Sequence, residues 1–401
     1  MSNENPDIEP DANNLWRRET PGHDGWAHTA RSGDANKYLM ISADSHCKEP
    51  ANLWAERLPE KYRDRVPRIE IDEKGDRYLV MEGWRKSKLR DSVVLGEDKL
   101  RAHTPGDAES RRADLVRDGV DGEIIFPNKG LTMWATEDAD FSTAQCRVYN
   151  DWVWDELANK HPASLPMAAL NPGDINNALA ELDRVVATGF RGITLPCRPV
   201  WGAPAADKPA YNKPEYDRFW DALEESGLPL TFHIGTGGDP RAATGRGGAI
   251  INYVAHALAP GIELVTTLCS SGILAQRPAI RFALIEAGIG WVAWSLAAMD
   301  EAYKKHHMWV RPKLDGLPSD YFRRQGFVTF QEDDPGIATA EQFDLIGNFL
   351  WANDYPHQEG NWPHSAAAIE RSMGSLSDNS RARILGLNCA ELFGIEVPAN
   401  S

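Results

Sequence analysis

Short apolar runs recur along the chain from about residue 38 onward, and they predict its strands. Most of these runs are almost continuously apolar rather than alternating, which is typical of strands covered on both faces in a parallel sheet. Eight runs fit this description: Tyr38–Ala43, Glu123–Pro127, Leu165–Leu170, Phe190–Leu195, Leu228–His233, Phe282–Glu286, Phe327–Phe330 and Phe349–Asn353.

Helical patterns separate these apolar runs. Ala178–Thr188 stops just before Gly189, and Pro214–Ser226 begins with a proline, as helices often do. Ser142–Lys160 and Ala338–Ile346 have a similar pattern. Eight strands that alternate with helices predict an α/β protein with a (β/α)8 TIM barrel, and a doubly wound parallel sheet is the alternative.

Three segments depart from this alternation. Residues 1–36 lack periodicity and are interpreted as an N-terminal arm, so that residues 37–401 form a single barrel domain. An insertion at about residues 67–82 is predicted to be a β-hairpin, because Arg68–Met81 alternates on both sides of a Lys-Gly-Asp turn. A second, aromatic-rich insertion, at about residues 300–322, follows strand six.

Composition and charge narrow the class of protein. The 401 residues carry a formal net charge of −16, which disfavours binding to nucleic acid or to anionic membranes. No apolar stretch is long enough for a membrane span, the polar N-terminus does not resemble a secretory signal, and the 5 cysteines form no C-x-x-C pair. We therefore expect a cytoplasmic protein that acts on a small molecule.

Residues that commonly bind metals lie at the ends of several predicted strands. In a barrel these ends meet at one rim, where active sites are built. Strand one ends in Asp44 and His46, which point the same way because they are two residues apart in an extended chain. The other candidates on this rim are Glu49, His233, Glu286, Asp354 and His357. So many carboxylates would repel one another unless a cation lay among them, and the pattern therefore predicts a metal site.

The ordered motifs resemble a known family. Asp44-Ser45-His46-Cys47-Lys48-Glu49-Pro50, His233, the segment LIEAGIGWV at residues 284–292 and Asn353-Asp354-Tyr355-Pro356-His357 are together similar to the amidohydrolase-2 family of metal-dependent hydrolases. The resemblance covers about residues 38–393. It implies a distorted TIM barrel with one or two divalent metals at the rim, and activities such as hydrolysis, non-oxidative decarboxylation of aromatic acids, or hydration.

The chain also departs from the family pattern. Decarboxylases of the family usually open with H-x-H, whereas Asp44 stands in the first position here, and strand six ends in Glu286 where many superfamily members have a histidine. The end of strand four offers no lysine for a bridging carbamate. A ligand set rich in carboxylates suits iron or manganese better than a histidine-rich zinc site does. The length and the D-x-H plus Glu pattern also resemble the TIM-barrel di-iron monooxygenase branch of platensimycin and platencin biosynthesis.

These observations lead to two functional hypotheses. The favoured one is a non-haem iron monooxygenase, with Fe2+ and two ions per chain, that hydroxylates a CoA-linked terpenoid or similar lipophilic acid and takes electrons from an external reductase. The alternative is a hydrolase or non-oxidative decarboxylase that uses Zn2+ or Mn2+ and a metal-bound water. The expected metal ligands are Asp44, His46, Glu49, His233, Glu286 and Asp354, and the expected catalytic residues are Glu286, Asp354 and His357. We expect a homo-oligomer, and at most one of His306 and His307 to serve the site.

Overall fold

The computed structural model describes residues 11–89, 94–158, 160–201, 209–239 and 249–397. The strands, in chain order, are β1 (Ile41–His46), β2 (Arg68–Ile71), β3 (Arg77–Val80), β4 (Ser87–Lys88), β5 (Gly122–Phe126), β6 (Ser164–Pro166), β7 (Ala168–Ala169), β8 (Ile193–Pro196), β9 (Leu230–His233), β10 (Phe282–Ile285), β11 (Gly326–Phe330) and β12 (Phe349–Trp351). The α-helices are α1 (Leu53–Arg57), α2 (Asp98–His103), α3 (Ala108–Arg117), α4 (Ala139–Val153), α5 (Ile175–Thr188), α6 (Asp217–Ser226), α7 (Ala249–Ser270), α8 (Ile273–Gln276), α9 (Val292–Lys305), α10 (Pro318–Gln325), α11 (Asp334–Ala340), α12 (Ser365–Ser372), α13 (Asp378–Ala382) and α14 (Asn388–Phe393).

All eight predicted apolar runs contain strands, and these strands follow one another in barrel order. β1, β5 and β6 form one parallel sheet, and β7 to β12 form a second one in sequence order. A single residue, Met167, separates β6 from β7, so that one kinked strand belongs to both sheets. On the other side, the segment after β12 meets β1, because the backbone N–H of Asp354 donates to Asp44 O and that of His46 donates to Tyr355 O. The order of a TIM barrel is therefore confirmed, and the doubly wound alternative is not.

The smaller of two apolar cores joins α14 to the strands of the barrel. It combines residues of β1, β5, β6, β10 and β12 with Cys389, Ala390 and Phe393 of α14. Arg191, just before β8, donates to the carbonyl oxygen of Phe393 at 2.8 Å. The helix α14 therefore covers the N-terminal ends of the strands, and the C-terminal ends remain available for chemistry.

The predicted insertions are present. β2 and β3 form the predicted hairpin, and the short β4 adds a third antiparallel strand to it. Residues 300–322 contain the end of α9, a connecting loop and most of α10. Among the described helices, none is both long and apolar enough to cross a membrane.

Residues 11–36 lie against the segment that follows β12. Arg17 is buried, and its guanidinium donates to the backbone carbonyls of Gln358 at 2.5 Å and Gly360 at 2.6 Å. Thr20 and Arg31 both donate to the carboxylate of Glu370 on α12. These contacts fix the early part of the chain to the loop that carries His357.

Candidate metal centre

The end of β1 places two candidate ligands side by side. The pairing of β1 with β5 shifts between Ser42 and Ser45, which indicates a β-bulge around Asp44. Both Asp44 and His46 are fully buried, and their side chains join the same cluster. Asp44 Oδ1 lies 3.5 Å from His46 Nε2. The bulge is therefore compatible with the predicted common direction of these two residues.

His46 and His233 point their Nε2 atoms at each other across the rim. His46 Nδ1 lies 2.8 Å from Pro127 O, and His233 Nδ1 lies 2.8 Å from Ile234 O. A carbonyl can only accept a hydrogen bond, so both Nδ1 atoms carry a proton, and each ring in its neutral form has its lone pair on Nε2. The two Nε2 atoms are 3.2 Å apart. Two lone pairs directed at one another are stabilised by a shared cation.

Three carboxylates surround the two imidazoles. Asp44 Oδ1 is 3.8 Å from His233 Nε2, Glu286 Oε2 is 3.5 Å from the same nitrogen, and Asp354 Oδ1 is 3.5 Å from His46 Nε2. One ligand atom from each of Asp44, His46, His233 and Glu286 lies within 4.8 Å of the others. The structure thus brings together five of the six residues predicted as ligands.

Asp354 and His357 form a pair beside His46. His357 Nδ1 lies 3.0 Å from Asp354 Oδ1, and the rings of His46 and His357 stack with their centroids 4.0 Å apart. His46, Asp354 and His357 make a second group with metal-ligand spacing. The structure therefore places His357, predicted as catalytic, within the cluster.

Glu286 and Asp354 both occupy the left-handed backbone region, with φ values of 61° and 51°. Residues other than glycine rarely adopt this conformation, which costs on the order of 1 kcal/mol or more. At Glu286 it is held by the hydroxyl of Thr329, which accepts from the Glu286 N–H at 2.7 Å. At Asp354 this backbone conformation is held by the hydrogen bond that the Asp354 N–H donates to the carbonyl oxygen of Asp44. Neighbouring strands thus fix both carboxylates at the rim.

Burial and crowding shift the pKa values in the cluster. Burial, followed by the charge of Asp354, raises the pKa of Glu286 well above its ordinary value. Burial also raises the pKa of Asp354 to about 7, against the opposing effect of His357. Burial alone would lower the pKa of His233, but the charges of the nearby Asp44 and Glu286 carboxylates raise it to about 9. The negative field that draws a proton onto this ring also attracts a metal cation.

The carboxylate oxygens provide the test of whether this cluster fits a metal. Within the described part of the chain, neither oxygen of Asp44 and neither oxygen of Asp354 accepts a hydrogen bond of acceptable geometry, although both residues are fully buried. Buried carboxylates are normally hydrogen-bonded or bound to a metal. Together with the two facing Nε2 atoms, these four oxygens fit a divalent cation.

Glu49 does not join this cluster, which corrects its prediction as a ligand. Its carboxylate accepts from the backbone N–H groups of Asn128, Lys129 and Gly130 at 2.9, 3.0 and 2.9 Å. These bonds satisfy the charge of Glu49 and fix the turn after β5. Glu49 therefore supports the rim without facing the imidazoles.

Several other predicted features lie apart from the site. His306 and His307 are both exposed and belong to none of the ligand groups found among the described residues. In the basic run at residues 85–90, Lys86 and Lys88 form ion pairs with Glu70 and Asp76 of the hairpin, and Arg90 lies outside the described residues. The sequence also has a glycine-rich stretch at residues 245–248 that is compatible with either a loop over the site or a plain surface loop, and it lies outside the described residues.

Two further residues at the site were not among those predicted from the sequence. Glu359 forms a third ligand group with Glu286 and Asp354, but it lies in an irregular loop, where no periodicity marks it. Arg111 on α3 is buried, pairs with Glu123 at 2.6 Å and donates to the carbonyl oxygen of His46 at 2.6 Å. The sequence around Arg111 shows only a helical pattern, and such a pattern does not reveal that this arginine is buried.

Solved structures with the same fold come from several bacteria. An amidohydrolase from Mycobacterium avium subsp. paratuberculosis K-10 has a TM-score of 0.72 at 19% identity and covers 90% of this chain and 99% of its own. The 5-carboxyvanillate decarboxylase LigW from Sphingomonas paucimobilis has a TM-score of 0.63 at 18% identity, covering 90% of this chain and 100% of its own.

A third similar structure is a dihydroxybenzoic acid decarboxylase from Polaromonas sp. JS666, which holds manganese and the inhibitor 2-nitroresorcinol. It has a TM-score of 0.60 at 20% identity, covering 90% of this chain and 99% of its own. No curated protein matches this chain significantly.

The family model Amidohydro_2, described as amidohydrolase, matches residues 43–395, which is most of the chain and contains every residue of the cluster. Such coverage confirms the family resemblance read from the strand-end motifs. The protein belongs to the amidohydrolase family.

Proposed function

We propose that this protein is a metal-dependent enzyme that removes a carboxylate from a small aromatic acid without oxidation, or hydrolyses a related small molecule. The observation that carries the proposal is the pair of facing Nε2 atoms of His46 and His233, surrounded by buried oxygens of Asp44 and Asp354 that accept no hydrogen bond of acceptable geometry among the described residues. Asp44, His46, His233 and Asp354 would hold the metal, and Glu286 faces it from β10.

The comparisons favour decarboxylation over the monooxygenase expected from the sequence. Two of the structural neighbours are decarboxylases of 5-carboxyvanillate and dihydroxybenzoic acid, and one of them holds manganese. Manganese also suits the ligand set here, because it prefers carboxylate oxygens with a few imidazoles. We therefore propose Mn2+ as the cation. When bound, it supplies a Lewis acid that polarises substrate oxygens.

Asp354 and His357 are the pair best placed to move a proton. Burial lowers the pKa of His357, but the charge of Asp354 outweighs burial and raises this pKa to about 9, so the imidazolium holds a proton near neutrality with its Nδ1 3.0 Å from Asp354 Oδ1. In the proposed reaction this pair delivers a proton to the ring carbon that bears the carboxylate. The bond to the carboxylate then breaks, its electron pair returns to the ring, and CO2 leaves.

The test combines metal content with product formation. Metal-free protein is reconstituted with Mn2+ and incubated with 5-carboxyvanillate and with dihydroxybenzoate, and CO2 release is measured. We expect turnover in the wild type, and loss of both bound Mn2+ and turnover in His233→Ala. The matched control is His103→Ala, which alters an exposed histidine on α2 and should keep both. A wild type that binds no Mn2+, or a His233→Ala variant with full metal content, would overturn the proposal.

One observation favours a second candidate, the iron monooxygenase. Four carboxylates, those of Asp44, Glu286, Asp354 and Glu359, accompany three imidazoles in the linked ligand groups. This balance resembles that of carboxylate di-iron oxygenases. Such an enzyme would require an external reductase, and its CoA-linked substrate remains part of this hypothesis alone. Protein loaded with Fe2+ and supplied with a reductant would then consume O2, and Glu286→Gln would bind less iron. Absence of O2 consumption, together with CO2 release by the Mn2+ protein, would remove this candidate.

A further inference from the structure

The barrel closes along a seam, where the end of β1 meets Asp354 and Tyr355, shortly after β12. In the described part of the chain, two backbone hydrogen bonds cross this seam: the Asp354 N–H donates to Asp44 O at 3.1 Å, and the His46 N–H donates to Tyr355 O at 2.7 Å. The proposed metal ligands lie on both sides of it, with His46 Nε2 only 3.5 Å from Asp354 Oδ1. The separation of these ligands therefore depends on how the seam is held.

Arg111 of α3 is buried against the seam and contacts both of its sides. On the side of β1, its Nη1 donates to the carbonyl oxygen of His46 at 2.6 Å, and its Nη2 donates to the hydroxyl of Ser45 at 2.8 Å. On the other side, the guanidinium carbon lies 5.0 Å from the centre of the buried Tyr355 ring, which is a cation–π contact. One side chain therefore holds His46 and the residue that follows Asp354.

The contacts of His46 leave its Nε2 atom for a metal. Its backbone N–H donates across the seam, its carbonyl oxygen accepts from Arg111, and its Nδ1 lies 2.8 Å from Pro127 O. The bond from Arg111 is charge-assisted, and such bonds are shorter and stronger than those between neutral groups. Loss of this bond would let the His46 peptide shift, and the shift would displace Nε2 as well.

Glu123 of β5 balances the charge of Arg111. Its carboxylate accepts from Arg111 Nη2 at 2.6 Å and from Nε at 2.9 Å, and both side chains are buried. Glu123 also accepts from the hydroxyls of Ser45 and Ser164 at 2.8 and 3.0 Å. Because the two charges offset each other, the pair adds no net positive charge beside a bound cation. A buried ion pair also gives little net stability relative to apolar residues of similar size, so stability alone does not account for it.

We propose that Arg111 is a positioning residue for the metal. It holds the seam so that His46 and Asp354 stay at the separation that a divalent cation requires. Arg111 acts through His46 and Tyr355 and is not itself a ligand. The inference rests on the proposed function, which supplies the cation.

The test compares two buried arginines. Arg111→Lys keeps the positive charge but removes the planar fork of donors. Arg381→Lys is the matched control, because Arg381 of α13 is also buried and stacked on an aromatic ring, and it donates to Tyr38 and Asp378 at 2.8 and 2.9 Å. None of these partners is a proposed ligand. Urea unfolding of the metal-free proteins and equilibrium binding of Mn2+ to the folded proteins are measured for each variant.

Both variants should lower the free energy of unfolding, since each removes buried hydrogen bonds. Only Arg111→Lys should also weaken Mn2+ binding, and we expect its dissociation constant to rise roughly 10–100-fold. At saturating Mn2+, the electron paramagnetic resonance spectrum of Arg111→Lys should differ from that of the wild type, because the ligands surround the ion differently. Arg381→Lys should keep the wild-type affinity and spectrum.

Tyr355 offers a second pair of variants, which decides the matter if Arg111→Lys does not fold. Tyr355→Phe keeps the ring against the guanidinium and loses the hydroxyl bond to Asp114 at 2.9 Å. Its Mn2+ affinity should therefore stay close to that of the wild type. Tyr355→Leu removes the ring and should weaken Mn2+ binding, although Arg111 is still present.

The outcomes separate this inference from the proposed function. Wild-type affinity and spectrum in Arg111→Lys, equal losses of affinity in the two arginine variants, or equal affinities of Tyr355→Phe and Tyr355→Leu would overturn the positioning role and leave the proposed function standing. A wild type that binds no Mn2+ would overturn the proposed function and this inference with it.

Discussion

The chain leaves no room for a side chain at Gly360, directly beside the candidate metal ligands. A β-carbon placed there would lie 2.3 Å from the carbonyl oxygen of Asn353 and 2.7 Å from that of Asp354. Both contacts are with backbone, which cannot rotate away as a side chain can. The loop that carries His357 and Glu359 can therefore pack against the end of β12 only with glycine at this position.

We predict that Gly360→Ala weakens both folding and metal binding. The added methyl group must push the loop away from Asp354, and overpacking of this kind costs roughly 1–3 kcal/mol. Urea unfolding and Mn2+ binding should both show the loss. Gly347→Ala is the matched control, because nothing lies within 4 Å of a β-carbon there. Equal stability of the two variants would contradict this reading of the loop.

At this scale the sequence predicted the residues at and shortly after the strand ends, including His357, and missed Glu359 further along the same loop. Asp44, His46, His233, Glu286 and Asp354 could be found because the carboxyl ends of parallel strands meet at one rim. Glu49 has the right chemistry and the right distance along the chain, but three backbone N–H groups take up its carboxylate. No sequence pattern shows which backbone groups will turn toward a side chain.

At the scale of elements, a buried carboxylate joins α3 to α12. Asp118 caps the end of α3, and its oxygens accept from the backbone N–H of Ser365 at 3.1 Å and from the Ser365 hydroxyl at 2.5 Å. Burial raises the pKa of Asp118 to about 7, despite these hydrogen bonds. The folded protein thus binds a proton here that the unfolded chain, with an ordinary aspartate pKa near 3.8, has released at the same pH.

We predict that Asp118 makes stability fall as the pH rises. Its contribution is fully present below about pH 4 and is lost as the pH passes through 7, because the folded state must then keep a buried charge. Asp118→Asn removes this titration. The free energy of unfolding of the variant minus that of the wild type should therefore be larger at pH 8 than at pH 5, by up to a few kcal/mol. The variant is thus the relatively more stable protein at the higher pH. The same difference at both pH values in urea unfolding would show that Asp118 does not titrate in this range.

The existence and order of the elements followed from the sequence better than their limits did. The first strand was predicted at Tyr38–Ala43 and is found at Ile41–His46, since Tyr38 and Met40 are buried but lie before the residues that pair with β5. The helix predicted to reach Lys160 ends its α-helical part at Val153 and continues as a π-helical turn at Trp154–Ala158. Periodicity reports which side chains are buried, and hydrogen-bond pattern decides where an element stops.

At the scale of the whole molecule, the early part of the chain is attached to the site through Arg17. Beyond the two carbonyls that Arg17 binds, Arg371 of α12 donates to the backbone carbonyls of Arg17 and Glu19 at 2.7 and 2.8 Å. The two arginines therefore connect residues 11–36 with α12 and with the loop before it. The closeness of these distant segments could not be read from the sequence, because residues 1–36 show no periodicity.

We predict that Arg17→Ala lowers the free energy of unfolding and weakens Mn2+ binding. It removes two charge-assisted hydrogen bonds, each worth about 1.5–3 kcal/mol when buried, and it frees the carbonyls that flank Glu359. Arg17→Lys should recover only part of the loss, because an ammonium group cannot match the fork of the guanidinium. The control is Arg57→Ala, at an exposed position of α1. If Arg17→Ala and Arg57→Ala behave alike in unfolding and in metal titration, the arm does not support the site.

The spacing of the cluster along the chain also sets the order of events during synthesis. About 300 residues separate His46 from Asp354, and a ribosome needs roughly 15 to 60 seconds to add that many. Until then the cluster is incomplete: His233 and Glu286 are added before Asp354, but a partial ligand set retains a metal weakly. The cation is therefore acquired by a nearly finished polypeptide. Which ion is acquired then depends on the metals available in the surroundings at that moment as well as on the preference of the ligands.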